Sequence, residues 1–142
     1  MPLGPTISVV SLRQRHCTST GMKPFDLIER TRLFAQDVLR FCRELPDSVE
    51  AREAASQLRR AANSVRSNYR AARKCRSPAE FASKLQVAFE EADESLDWLE
   101  YLRDGNICED EPLLQEALEL SSILGAAVKT ARQNQRERRR RP

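Results

Sequence analysis

The sequence predicts an all-α fold, an antiparallel up-down-up-down bundle of four long helices. Apolar residues recur at helical spacing from Pro24 to Ala131. Short breaks carrying proline, glycine or capping residues divide that pattern into four stretches. Glycine is scarce, 4 in 142 residues, which leaves little turn vocabulary for hairpins or barrels. Short connections force consecutive helices to lie side by side and run in opposite directions. The length suits one domain with one core.

The first helix is expected from Pro24 to Leu45. Proline fits the first helical turn and Asp26 the positive helix end. Leu27, Ile28, Phe34, Ala35, Val38, Phe41, Cys42 and Leu45 form its apolar stripe. Pro46 ends it. Asp47 then reads as an N-cap, with Glu50 completing a capping box, for a second helix over Ser48 to Cys75. Its stripe is rich in alanine, from Ala51 to Ala72, so a neighbouring helix can approach closely. Ser77-Pro78-Ala79-Glu80 combines a cap, an N-terminal proline and a box glutamate, and opens the third helix. That helix carries Phe81, Leu85, Ala88, Phe89, Ala92, Leu96, Leu99 and Leu102 inward and stops near Asp104. Gly105 is the expected left-handed C-terminal residue. Glu111-Pro112 opens the fourth helix, which carries Leu113, Ala117, Leu120, Leu124, Ala127, Val128 and Ala131 to about Gln135. The organisation expected is a disordered arm over residues 1–22, the bundle over 23–135 and a basic tail over 136–142. Met22, just before the helical pattern, reads as an alternative translation start.

Several kinds of chemistry are missing. The single histidine, His16, falls in the arm, so no Glu-x-x-His metal site and no Ser-His or Cys-His nucleophile is expected in the bundle. Cys17, Cys42, Cys75 and Cys108 form no C-x-x-C pair, and no secretion signal precedes them; reduced thiols in the cytoplasm are expected. No apolar run reaches membrane-spanning length. There is no glycine-rich phosphate loop. Glu90, Glu91, Asp93, Glu94 and Asp97 read as an acidic outer face rather than a metal site. The expectation is a protein without catalysis, cofactor or metal.

The net charge of +3 conceals a division. Residues 52–76 hold Arg52, Arg59, Arg60, Arg66, Arg70, Arg73, Lys74 and Arg76 against Glu53. The third helix holds Glu80, Glu90, Glu91, Asp93, Glu94, Asp97, Glu100 and Asp104 against Lys84 and Arg103. Residues 129–141 are basic again and include Arg138, Arg139, Arg140 and Arg141, with Glu137 the one acid among them. Arg52, Arg59, Arg66 and Arg73 recur every seven residues, a spacing that drifts slowly around a helix; they form a ridge that Arg70 joins. The planar guanidinium fork suits phosphate, so the ridge and tail can follow a nucleic-acid backbone. Equally, a basic helix can pair with an acidic one, within a subunit or across an interface. Asn63, Ser64, Ser67 and Asn68 are unusual inside a helix and point to hydrogen bonds with a neighbour or a ligand.

At the second helix, Gln57-Leu58-Arg59-Arg60-Ala61-Ala62-Asn63-Ser64-Val65-Arg66-Ser67-Asn68-Tyr69-Arg70-Ala71-Ala72 resembles the signature of the 23S rRNA intervening-sequence protein family. Phe25-Asp26-Leu27, Glu80-Phe81 and Glu90-Glu91-Ala92-Asp93-Glu94-Ser95-Leu96 fit the same pattern. The resemblance spans about Met22 to Arg132. It implies a bacterial four-helix bundle assembling into ring-shaped homopentamers, and includes a branch of retroelement accessory proteins that bind nucleic acid and a reverse transcriptase. After Asn68 the family's frequent acidic-glycine pair is replaced by Arg70-Ala71-Ala72, which makes this flank more basic. Val87, Trp98, Tyr101 and Phe41, at the stripe edges, are candidate subunit contacts.

The function expected is therefore a homo-oligomeric, non-enzymatic module that binds RNA or DNA by phosphate contacts. Its expected site is Arg52, Arg59, Arg60, Arg66, Arg70, Arg73, Lys74 and Arg138 to Arg141. The alternative is a protein-interaction scaffold whose charged helices serve assembly.

Overall fold

A computed structural model of the chain describes residues 26–142. The arm, His16, Cys17, Pro24 and Phe25 lie outside the described residues. Four helices follow one another, α1 (Leu27–Arg43), α2 (Val49–Ala72), α3 (Pro78–Asp104) and α4 (Glu111–Arg140), with no strand among the described residues. Each start has a side-chain cap. Asp26, Ser48, Ser77 and Asp110 accept hydrogen bonds from the backbone N–H groups of Glu29, Ala51, Glu80 and Leu113. Each satisfies a donor that the first turn leaves without a helical partner.

The first two helices end at Arg43 and Ala72, short of the expected Leu45 and Cys75, and three further differences at helix ends have a local reason. The N-cap of α2 is Ser48, in extended conformation, rather than Asp47, whose carboxylate pairs with Arg52. Gly105 ends α3 with an ordinary negative φ, and the left-handed residue is Asn106 at φ 54°. The Asn106 N–H donates to the Arg103 carbonyl and the Ile107 N–H to the Leu102 carbonyl, the double closure of a Schellman motif. Asparagine tolerates the left-handed region better than other side chains, and Ile107 then packs on the core that holds Leu102. Finally, α4 continues to Arg140 instead of ending near Gln135. Arginine, glutamine and glutamate are good helix formers, Gln133 donates to Glu137, and cations suit a helix C-terminus.

The helices pack as α1 on α2, α2 on α3 and α3 on α4, with a thinner α1–α4 contact; α1 does not pack on α3, nor α2 on α4. The core falls into two regions. One joins Phe34, Val38 and Phe41 of α1 to Leu58 of α2, Leu102 of α3 and Leu120 of α4. The other joins Val65, Leu85, Leu124 and Val128 from α2, α3 and α4 only. Among these helices α1 is the shortest, 17 residues against 24 to 30, and contributes no buried residue to the second region. Ala51, Ala54, Ala55, Ala61, Ala62 and Ala72 of α2 are buried, as are Ala82, Ala88 and Ala92 of α3. Ile28, assigned inward from sequence, is exposed, and Phe41, read in the stripe but toward its edge, is buried. The helix repeat explains both. Phe34 and Val38 set the inward direction, Phe41 returns to it, and Ile28 lies about 120° away from Phe34.

Leu58 is fully buried in the first region. Leu58→Ala should destabilise the fold by about 2–5 kcal/mol. The check is a lowered midpoint with unchanged slope in urea unfolding.

Candidate nucleic-acid interface

The structure sorts the expected site residues by partner. Arg60 turns toward α3. Its guanidinium donates to Glu94 at 2.7 Å and lies 3.7 Å from a Glu91 oxygen. Trp98, stacked edge-on against Tyr101, donates its indole N–H to the same Glu94 carboxylate. Glu94 hydrogen-bonds Arg60 and raises its pKa further, so this arginine is committed within the subunit. Arg52 pairs with Asp47 at the head of its own helix.

The remaining α2 bases behave differently. Arg59, Arg66, Arg70, Arg73 and Lys74 are all exposed. None of them forms an ion pair among the described residues. At about 100° per residue, Arg59, Arg66, Arg70 and Arg73 share one flank of α2, about 80–140° around the helix from Arg60. That flank borders α1. Cys42 of α1 donates to the Ala55 carbonyl on this side, and the charge of Arg59 acts on the same thiol. Arg73 acts likewise on Tyr69, whose phenol is raised by burial and by Asp26 at the start of α1. The ridge is thus a strip of unpaired charge along the α1–α2 flank.

Arg138 to Arg141 are exposed at the end of α4, with Arg138, Arg139 and Arg140 in its last turn. Sequence reading took these four and left out Arg132 and Arg136. With Gln135 and Arg139 these two line an open hollow of ≈ 210 Å³. The available signal was the three- and four-residue spacing that continues the α4 stripe past Val128.

The polar group inside α2 is mostly used locally. The Asn68 side-chain amide donates to the Ser64 carbonyl and hydroxyl, and the Ser67 hydroxyl donates to the same carbonyl. The acidic cluster of α3 divides between two neighbours, Glu91 and Glu94 facing Arg60 while Asp93 accepts from Ser121 of α4. Among the described residues no three metal-ligating side chains gather. A clamp that sequence reading did not foresee ties α1 to α4. Arg30 donates through two nitrogens to Glu116 at 2.6 and 2.8 Å, and also to Glu119. Both pairs join residues more than 80 positions apart, a separation that local patterning does not report. No helix of the described residues is long and apolar enough to cross a membrane.

Fold and surface together define a four-helix bundle whose second helix carries unpaired arginines along an outer flank. The chain belongs to the 23S rRNA-intervening sequence protein family, whose model matches residues 23–126. A solved structure of a protein with unknown function from the S23 ribosomal protein family of Bacteroides thetaiotaomicron VPI-5482 is similar, with a TM-score of 0.64 and 25% identity. The likeness covers 72% of this chain and 97% of that one. Comparison with curated proteins returned no match.

Burial pushes the Cys42 thiol up to about 11, against the lowering effect of Arg59. At pH 8 the native thiolate population should be roughly 100-fold below that of the unfolded chain, and alkylation correspondingly slow. Arg59→Glu removes the opposing charge and should slow it further. Peptide-resolved mass spectrometry reads both rates; native labelling as fast as in urea would contradict the placement of Cys42.

Proposed function

We propose that this protein is a non-enzymatic RNA-binding bundle that acts as a homo-oligomer in the cytoplasm and holds RNA by its phosphates. The observation that carries this reading is the unpaired state of Arg59, Arg66, Arg70, Arg73 and Lys74, beside an Arg60 that hydrogen-bonds Glu94 of α3. Unpaired guanidinium groups on an outer flank suit phosphate, and the family name ties relatives to ribosomal RNA insertions without stating what they bind. Arg138, Arg140 and Arg141 at the end of α4 add long-range attraction to the same field. DNA would be held by the same phosphate contacts. The exposed aromatic residues are too few for base stacking to dominate, so recognition of sequence is weak.

The up-down-up-down topology belongs to this reading. Arg60 meets Glu91 and Glu94, while Asp93 meets Ser121 and Phe89 lies against Gly125, pairings whose order supports antiparallel neighbours. A ring, with the pentamer favoured by resemblance, is supported by exposed Ile28, Leu39, Tyr101 and Leu118. The α3 acid Glu94 is already taken by Arg60, which leaves it less free to pair with the ridge of a neighbouring subunit, while a buried Glu91 oxygen 3.7 Å from the same guanidinium has no hydrogen-bond partner among the described residues.

Arg66→Glu separates binding from assembly. The expected outcome is an unchanged mass by light scattering and RNA affinity reduced about tenfold, the loss of one charge-assisted contact of roughly 1.5 kcal/mol. An oligomer that dissociates instead would assign the ridge to subunit contacts and favour the protein-scaffold reading.

A further inference from the structure

The α2 ridge is not the only arginine track. On α4, Arg132, Arg136 and Arg139 recur at four and three residues and line one open hollow together with Gln135. Helical rise spreads them over about 10 Å along the axis. A second hollow, of ≈ 330 Å³, adjoins the first through Arg132 and Gln135 and is bordered by Ser83 and Gln86 of α3. No acidic side chain lines either hollow. None of the three arginines is ion-paired among the described residues. The first hollow is lined by guanidinium and amide groups, and the second adds Ala79, Ala82 and Val87 to its polar residues; open surfaces of this kind suit a phosphate and its sugar rather than a buried base.

The placement of the two tracks matters more than their charge. The α2 track lies on the flank beside α1, while the α4 track lies on the flank beside α3. The helices that bear them do not pack on each other. The C-terminal part of the α2 track, Arg70 and Arg73, lies toward the same end of the bundle as Arg132, since Ala79 and Ala82, just after the α2–α3 loop, border the second hollow with Arg132. A single strand lying along one track is thus turned away from the other. The family match ends at residue 126, so the α4 track falls in the part of the chain beyond it.

We propose that each subunit has two separate phosphate-binding tracks, and that it bridges two RNA strands, one on the α2 flank and one on the α4 flank seated at Arg132 and Arg136. The proposal rests on the RNA-binding reading above and adds a second site to it. Bringing two strands together within one protein raises their effective concentration for each other.

The test captures a second strand. A biotinylated mixed-sequence RNA is immobilised, protein is added below saturation, and a labelled non-complementary RNA is then supplied. First-strand binding and second-strand capture are measured separately, with circular dichroism as a fold check. Wild-type protein should hold the first RNA and carry the second. Arg132→Ala combined with Arg136→Ala keeps helix propensity. It should keep first-strand affinity within about threefold, while second-strand capture falls about tenfold or more. Capture at the wild-type level by this variant would overturn the proposal and assign bridging to repeated α2 tracks in an oligomer. Wild-type protein that holds one RNA but never a second would also overturn it. Failure to bind the first RNA would overturn the RNA-binding reading itself, and the bridging proposal with it.

Discussion

The close approach of α2 to its neighbours is the constraint on which the rest depends. Alanines along α2 are buried against α1 and α3, and α3 answers with alanines of its own. Small side chains at the contact bring helix axes nearer, and larger residues there would force overpacking. With its inner face sealed by alanine, α2 buries Leu58 and Val65 as its larger anchors, half-buries Tyr69 and presents its charged residues outward. The long charged side chains of the helix then have only two directions to go, toward α3 or toward the α1 flank.

That geometry decides which charges cancel. Arg60 falls on the α3 side, where it hydrogen-bonds Glu94 and lies 3.7 Å from a Glu91 oxygen. Arg59, Arg66, Arg70 and Arg73 fall on the other side, where no acid meets them among the described residues. The acidity of α3 therefore does not quench the basicity of α2, although the two helices pack along their length. An exposed pair such as Arg60–Glu94 adds little to stability in water. Its larger consequence is to hold the Arg60 and Trp98 side chains in place.

Much of the fold was legible in the sequence because helix periodicity and caps are local signals. Ser77 with Pro78, and Glu111 with Pro112, mark helix starts that the structure repeats. Errors arose where two local signals competed. Asp47 and Ser48 both qualify as caps, and Gly105 and Asn106 both qualify for the left-handed position. At the candidate interface the arginines themselves were legible, but their partners were not. A heptad ridge can be read from spacing, whereas the separation of Arg60 from Arg59 depends on which side α3 lies. The clamp from Arg30 to Glu116 and Glu119 and the α4 hollow around Arg132 both require the packed structure.

The most direct test of the central claim, that the α2 flank holds phosphate, is the salt dependence of wild-type binding to a short mixed-sequence single-stranded RNA. Arg59, Arg66, Arg70, Arg73 and Lys74 acting together should give a log–log slope of roughly −3 to −4, as about five phosphate contacts on a single strand do. A slope near zero, or no binding at low salt, would contradict the account and return those arginines to contacts between proteins.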